Sequence, residues 1–453
     1  MSFPRYEEYK NSGISWLGNV PAHWEIFPLK AVASGDDTAF IDGDWIESRH
    51  LSETGVRYIT TGNVGLGIYK EQGTGYISND TFAQLGCTAV RPGDLLISRL
   101  NAPIGRACIA PALGVTVVTS VDNVIVRPSN TFDRKFLVFR LSSSDYFHEA
   151  GNIASGATMQ RISRSELGNI RIAFPPLNEQ ISIAVFLGRE TAKIDALIAE
   201  QEKLIALLAE KRQATISHAV TKGLNPNAPM KDSGVAWLGE VPEHWDVRPL
   251  KFLAKIGNGS TPNRDNPDYW ADEGFPWLNS SVVNQEEVTE AERFVTEKAL
   301  SECHLPIINP PAILVGITGQ GKTRGMATQL QFTATVNQHL AYVKPDVKQL
   351  TPTFLLRCLE SAYDHLRTES DGAGSTKGAI TCDQLGRLRM PAPRVNEQEK
   401  IVSFLEMEVT KLDNLEADAI RAITLLKERR SALITVAVTG QIDVRNLTPE
   451  IPA

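Results

Sequence analysis

Only five of the 453 residues are cysteine (Cys87, Cys108, Cys303, Cys358, Cys382). Their odd number and the lack of any C-x-x-C pair speak against a disulfide framework and for a reducing cytoplasm. No apolar run approaches the roughly 20 residues that a membrane span requires. The opening stretch MSFPRYEEYKNSG carries no basic-then-apolar leader, so neither a membrane segment nor a secretory signal is expected. Positive charge is not in excess either. Forty-six Lys plus Arg against 53 Asp plus Glu give a net charge of −7, which disfavours a protein that coats nucleic acid by bulk charge but leaves room for a local basic face. Signatures of catalysis are scarce. The eight histidines include no H-E-x-x-H, Cys303-His304 has no second pair to complete a metal site, and no carboxylate pair stands out as an acid/base couple. What is present is an ordinary globular composition, 42% hydrophobic and 22% charged, in a chain long enough for about two to three domains.

The chain is written twice. KNSGISWLGNVPAHWEIFPLK, from Lys10, returns as KDSGVAWLGEVPEHWDVRPLK, from Lys231, a shift of 231 − 10 = 221 residues. Trp16, Pro21, His23, Trp24, Pro28 and Lys30 meet Trp237, Pro242, His244, Trp245, Pro249 and Lys251. A second block from Asn178, NEQISIAVFLGRETAKIDALIAEQ, matches NEQEKIVSFLEMEVTKLDNLEADA from Asn396, a shift of 396 − 178 = 218. Upstream of it, Ile162, Leu167, Gly168, Arg171 and Pro175 align with Ile380, Leu385, Gly386, Arg389 and Pro393. Each half is a short opening motif, a divergent middle of about 130 residues and a long charged segment. Similar ends predict one frame used twice, and dissimilar middles predict two different recognition surfaces. His23 and His244, held between Pro and Trp, are expected to pack rather than catalyse.

The long segments have helical periodicity. Ile194, Leu197, Gln201, Leu204 and Leu208 form one stripe, widened by Ile198 and Ile205; Leu412, Leu415, Ala419, Ala422 and Leu426, with Ile423, form the other. A helix of about 30 residues would reach about 45 Å. Two such stripes predict helices packed on each other, antiparallel given the internal twofold. The middles predict a mixed architecture. Strands are expected at Leu95–Ile97, Val115–Val118 and Val124–Val126, then at Ile313–Val315, Phe332–Val336 and Leu340–Val343. Helices are expected at Phe136–Leu141 and in TPTFLLRCLESAYDHL, where Thr351 caps and Pro352 opens the first turn.

Two motifs invite catalytic readings. Gly316 to Thr323 matches the phosphate-loop pattern G-x-x-x-x-G-K-[ST], with Lys322 placed for phosphate and Thr323 for magnesium. That loop needs a helix starting at the lysine, whereas the residues that follow turn into a strand. A polar glycine loop is the preferred reading, and an ATP-using enzyme built on Lys322 the alternative. Asn309-Pro310-Pro311-Ala312 resembles the N-P-P-aromatic motif of adenine methyltransferases, but Ala312 cannot stack on a base, and a turn is expected. The remaining candidates are polar and basic side chains between strands: Arg99, Asn101, Arg106, Thr158, Gln160 and Arg161 in the first half, and Thr318, Gln320, Lys322, Arg324, Ser375, Thr376 and Lys377 in the second. Arg reads guanine and Asn or Gln reads adenine by two-point hydrogen bonding, while Lys holds phosphates, so these are the candidate DNA-binding residues. A duplicated scaffold that joins proteins without touching DNA is the third reading.

The echo SGISWLGNVPAHWEIFPLK/SGVAWLGEVPEHWDVRPLK, the strand openings RPGDLLISR and NPPAILVGI, and the helix starts PPLNEQ and PRVNEQ together resemble the specificity subunits of type I restriction–modification systems. The resemblance implies an α+β fold: two pseudo-twofold related mixed α/β target recognition domains separated by two long antiparallel helices, a coiled coil that sets the spacing between half-sites. It implies one domain per half of a split DNA site and no catalysis on this chain. Partners would be double-stranded DNA, two adenine methyltransferase subunits and ATP-dependent restriction subunits, with S-adenosylmethionine, ATP and magnesium on those partners and no cofactor here. The corresponding division is an opening motif at 1–24, recognition domain 1 at 25–160 and a central helical spacer at 161–222. The second copy has its opening motif at 223–245, recognition domain 2 at 246–378, a C-terminal helical spacer at 379–440 and a tail at 441–453.

Overall fold

The computed structural model describes residues 3–33, 39–73, 75–156, 159–319, 321–371 and 378–447. The chain divides into two compact units: Met1–Glu202 with Arg421–Ala453, and Lys203–Ile420.

Unit 1 is built on an antiparallel four-stranded sheet. Its hairpin β1 (Leu95–Ser98) and β2 (Ala107–Ile109) is extended by β3 (Asn123–Val126) and edged by Phe40–Asp42. All side chains of β1 and β3 are buried, as their continuous apolar runs require of a strand covered on both faces. One face is covered by helix α1 (Arg134–Arg140), started by Asp133, whose carboxylate accepts from the Phe136 amide. A second four-stranded sheet joins Val117–Thr119, Val56–Ile59, Tyr76–Ile77 and Leu51–Ser52. The strand expected from Val115 begins two residues later, and Val115 is exposed. Helix α2 (Leu177–Lys222) starts in this unit.

Unit 2 repeats the plan. Strands β4 (Ala312–Gly316), β5 (Ala327–Leu330) and β6 (Leu340–Pro345) form its hairpin and neighbour within a five-stranded sheet. The strand expected over Phe332–Val336 is confined to Thr335–Val336, and it pairs in a different sheet. The expected helix is two: α3 (Pro352–Ser361) and then Tyr363–Asp371. Thr351 occupies the cap position, but its hydroxyl makes no cap bond; its amide donates instead to Gln398 Oε1 at 2.8 Å. Helix α4 (Val395–Val438) starts in this unit and ends in unit 1.

Two small ladders show that the frame is one design. Tyr9 pairs Pro21 as Met230 pairs Pro242, each partner shifted by 221. Pro28 pairs Arg171 as Pro249 pairs Arg389, with one strand shifted by 249 − 28 = 221 and the other by 389 − 171 = 218.

The long helices are 46 and 44 residues, well beyond the expected 30. They run antiparallel. In unit 1 Arg430 Nε donates to Asp195 Oδ1 at 2.8 Å, and in unit 2 Arg212 Nη1 donates to Asp413 Oδ1 at 2.8 Å. A shift of 218 carries Asp195 to Asp413 and Arg212 to Arg430, so the same ion pair is made once per unit. The seam differs from the expected stripe. Ile194, Ile198, Gln201, Ile205 and Leu208 are buried or half-buried, alternating at four and three residues, while Leu197 and Leu204 are exposed. On α4, Leu412 and Ala419 are buried and Ala422, Ile423 and Leu426 half-buried, while Leu415 is exposed. A 3.5-residue repeat leaves a narrower seam than a globular helix does. Each unit's core takes the end of one long helix: Ile434, Ala437 and Val438 pack in the core that holds Trp24, and Ile216, Ala219 and Val220 in the core that holds Trp245.

Candidate nucleic-acid interface

One carboxylate organises each frame. In unit 1 Glu179 Oε1 accepts from Trp24 Nε1 at 2.9 Å and from the Tyr6 hydroxyl at 2.5 Å, and His23 Nε2 lies 2.8 Å from Oε2. In unit 2 Glu397 Oε1 accepts from Trp245 Nε1 at 3.0 Å, with His244 Nε2 at 3.0 Å from Oε2. Burial raises the Tyr6 phenol above its ordinary range, and the bond to Glu179 adds to the effect. The next residue positions the recognition region. Gln180 Oε1 accepts from the Asp133 amide at the start of α1, and Gln398 Oε1 from the Thr351 amide at the start of α3. Their amide nitrogens donate back to Pro175 and Pro393 carbonyls. The N-E-Q triplets thus fasten the opening motif, the helix of the middle region (α1 or α3) and the long helix together. The sequence showed the repeat of N-E-Q but only a helix start as its meaning.

From this frame the β1–β2 hairpin projects a loop, residues 99–106, and β4–β5 projects residues 317–326. Leu100 bridges Arg161 and Thr318 bridges Ala379, so both loops lie beside the segment that leads back to the frame. The amide of Gly105 donates to Ser98 and that of Gly325 to Gly316. The shifts are 316 − 98 = 218 at one end and 325 − 105 = 220 at the other, so the second loop is two residues longer. Arg106 therefore matches Met326 in position, not Arg324.

The candidate residues separate into two groups. Arg99 is 5% exposed; its guanidinium donates to Val121 and Ile162 carbonyls and pairs with Asp42 at 3.1 Å. Arg106 donates to four carbonyls, those of Thr61, Val64, Leu100 and Asn101, at 2.7–3.0 Å. Burial lowers the pKa of both guanidinium groups. Arg324 is 3% exposed and pairs with Asp371 at 2.5 Å. These three side chains brace the loops; what faces outward is a different set. In unit 1 Asn101, Gln160 and Arg161 are exposed and adjacent, with the Asn101 amide 3.3 Å from the Gln160 carbonyl and Arg161 paired to Asp122 at 2.8 Å. In unit 2 Lys322 is exposed, and Thr318 is half-buried with its hydroxyl 2.7 Å from His339 Nδ1. Thr158, Gln320, Ser375, Thr376 and Lys377 lie outside the described residues. Asp42, Asp122 and Arg164, which pairs with Asp42, complete the unit 1 surface; no spacing in the sequence marked them.

The phosphate-loop match is a hairpin. β4 runs through turns straight into its antiparallel partner β5, and no helix starts at Lys322. The carbonyls of Gly321 and Lys322 accept from Arg367 and Tyr363, which hold the loop from behind. Ala312 is fully buried at the start of β4. Among the described residues no three His, Cys, Asp or Glu side chains are grouped to hold a metal, and no helix is long and apolar enough to cross a membrane.

A frame made twice, each copy presenting an exposed polar loop surface of its own composition, defines a two-site recognition scaffold. The chain belongs to the family of the type I restriction modification DNA specificity domain, whose model matches residues 21–206 and 242–424, and is a specificity subunit with two recognition domains. It is similar to the putative type I restriction enzyme MjaX specificity subunit of Methanocaldococcus jannaschii, 23% identical over 98% of this chain and 99% of that protein. The EcoKI specificity subunit of Escherichia coli is 24% identical over 70% and 68%. Among solved structures, the HsdS subunit from Thermoanaerobacter tengcongensis superposes with a TM-score of 0.54 at 16% identity, covering 95% of this chain and 99% of that one. A chain from a structure of type I R-M complex assembly and conformational transition gives 0.65 at 17% identity, covering 92% and 98%. These structural likenesses establish the shared fold.

Proposed function

We propose that each unit reads one half of a bipartite DNA sequence through its hairpin-loop surface. Asn101, Gln160 and Arg161 offer base-edge contacts in unit 1, and Thr318 and Lys322 offer polar and phosphate contacts in unit 2. Arg99, Arg106 and Arg324 set the loop shape and act on the DNA only through it. The chain itself catalyses neither methylation nor cleavage. Two adenine methyltransferase subunits dock on the duplicated frame and carry S-adenosylmethionine, and ATP-dependent restriction subunits with ATP and magnesium join for cleavage.

The observation that carries this reading is the contrast between frame and loops. The tryptophan and histidine contacts of Glu179 and Glu397 and the paired ladders repeat in both units, while the loops between them differ in length and in the outward side chains described, Asn101, Gln160 and Arg161 against Thr318 and Lys322. Exchanging residues 25–160 for the same region of another specificity subunit is expected to change one half-site and leave the other, as read by mapping methylated adenines. Alteration of both half-sites would overturn the reading.

A further inference from the structure

Three loops of unit 2 are joined by one row of side chains. Between the strand Thr335–Val336 and β6, residues 337–339 form a turn. Buried Asn337 pins it: its Oδ1 accepts from the His339 amide at 2.9 Å, and its carbonyl from the Gly259 amide at 3.3 Å. The Ile317 amide donates to the His339 carbonyl at 3.0 Å, so the turn lies against the start of the 317–326 loop. Across it run Thr261, Gln338, His339 and Thr318. The Thr261 hydroxyl donates to Gln338 Oε1 at 2.5 Å, Gln338 Nε2 lies 3.3 Å from His339 Nε2, and His339 Nδ1 lies 2.7 Å from the Thr318 hydroxyl.

The chemistry of these groups fixes the direction of the row. A carboxamide nitrogen only donates, so His339 Nε2 accepts; a neutral imidazole then carries its hydrogen on Nδ1 and donates it to Thr318 Oγ1. Thr261 and His339 thus hold the Gln338 carboxamide at both ends and set which end is the oxygen. Gln338 itself is exposed. Among the described residues each end uses half of its capacity, which leaves one lone pair on Oε1 and one N–H on Nε2. Adenine answers that pair in the major groove, its N6 amino group donating to an acceptor and its N7 accepting from a donor. A side chain held in place before DNA arrives also gives up little rotamer freedom on binding.

Unit 1 furnishes the same turn differently. There the Arg99 amide donates to the Asp122 carbonyl at 2.8 Å and the Asn123 amide to the Ser120 carbonyl, as Ile317 does to His339 and Leu340 to Asn337. The shift at the turn is 339 − 122 = 217, so Asp122 stands for His339 and Val121 for Gln338. Valine offers no side-chain hydrogen bond, and Asp122 instead holds the exposed Arg161. One turn therefore supports an outward polar group in each unit, a neighbouring arginine in the first and its own glutamine in the second.

We infer that Gln338 reads an adenine in the half-site of unit 2, with Thr261 and His339 as the residues that position its carboxamide. This rests on the reading above, that unit 2 recognises one half-site through its hairpin-loop surface, and adds the side chain and the base.

The full chain assembled with its methylation subunits is tested against duplexes in which the unit 2 half-site is varied one base pair at a time, at one stated salt concentration. Gln338→Ala is expected to reduce discrimination at a single A·T pair by about tenfold or more and to leave the other pairs unchanged. Gln338→Glu removes the donor and keeps the acceptors, so it is expected to turn the preference at that pair from adenine toward cytosine. Thr261→Val should relax the same pair, while Thr261→Ser, which keeps the hydroxyl, should retain it; a merely structural role would move all pairs alike. Unchanged discrimination with Gln338→Ala, a uniform loss over all duplexes, or adenine still preferred with Gln338→Glu would overturn the inference. Exchange of residues 246–378 for the same region of another specificity subunit separates the two levels. A half-site unchanged by that exchange would overturn the reading of unit 2 itself, whereas one that the exchange alters and Gln338→Ala leaves intact would overturn only the role of Gln338.

Discussion

Replacement of Glu179 by alanine should open unit 1 far more than the same change at Glu397 opens unit 2. Glu179 is 4% exposed and accepts from two buried donors, Trp24 Nε1 and the Tyr6 hydroxyl, besides contacting His23. Each buried donor left without a partner costs about 1–3 kcal/mol, so Glu179→Ala is worth about 3–5 kcal/mol. Glu397 is 30% exposed and serves Trp245 Nε1 and the exposed His244, and Asn227 stands where unit 1 has Tyr6. With one buried donor affected and water at hand, Glu397→Ala costs about 1–2 kcal/mol. The difference of about 2 kcal/mol is a factor of about thirty in the opening equilibrium. Amide hydrogen exchange on the full-length protein, read on fragments around 20–30 and 174–187 and around 241–251 and 392–405, measures the two openings separately. Glu179→Gln keeps one acceptor oxygen and should recover part of the loss. A Glu179→Ala effect no larger than that of Glu397→Ala, or one that appears in the fragments around Trp245, would refute the assignment of the carboxylate as the fastening of its own unit.

Lys322→Ala is expected to weaken binding to all duplexes alike and to reduce the salt slope of the assembled complex by about one phosphate contact; a changed half-site preference would contradict that role. The thiols supply a further check. Burial pushes Cys108 up to about 12 and Cys87 up to about 11, the latter aided by Asp44. A raised thiol pKa keeps the neutral form, so at pH 8 the thiolate fraction is roughly one in a thousand at Cys87 and one in ten thousand at Cys108. Iodoacetamide labelling of the folded chain should be slow at both and rise about tenfold per pH unit, with the fully buried Cys108 and Cys358 labelled chiefly after unfolding. Fast labelling of Cys108 at pH 8 would contradict its burial.

The frame was legible in the sequence because it demands the same side chains twice. A buried tryptophan needs an acceptor, and Trp24 and Trp245 find it in the glutamates of two N-E-Q triplets. The seam of the long helices was legible only in part. Leu197 and Leu204 are as apolar as Ile198 and Ile205 and lie one residue away, so spacing alone could not choose between the lines. The antiparallel partner chose, with Arg430 reaching Asp195 beside the buried one. The loops were least legible. Arg106 was a fair candidate for reading guanine, yet the carbonyls that satisfy it come in part from Thr61 and Val64, more than forty residues away. The phosphate-loop pattern was easier to judge, since the strand-like residues after Lys322 already opposed a helix there, and they pair back on the strand before the loop.

The ladders explain why such loops can differ without disturbing the frame. From Pro28 to its partner Arg171 is 143 residues, and from Pro249 to its partner Arg389 is 140. The second region is shorter by three, although its hairpin loop is longer by two. Both lengths nevertheless return to the same register on the same strand, because the ladder and the tryptophan–glutamate bond flank the part that varies, and the glutamine bond reaches into it only at a backbone amide, that of Asp133 or Thr351. A region exchanged between those fixed points meets the same backbone partners wherever it comes from. Loop identity is thereby separated from frame stability, and each half-site becomes a property of one segment of the chain.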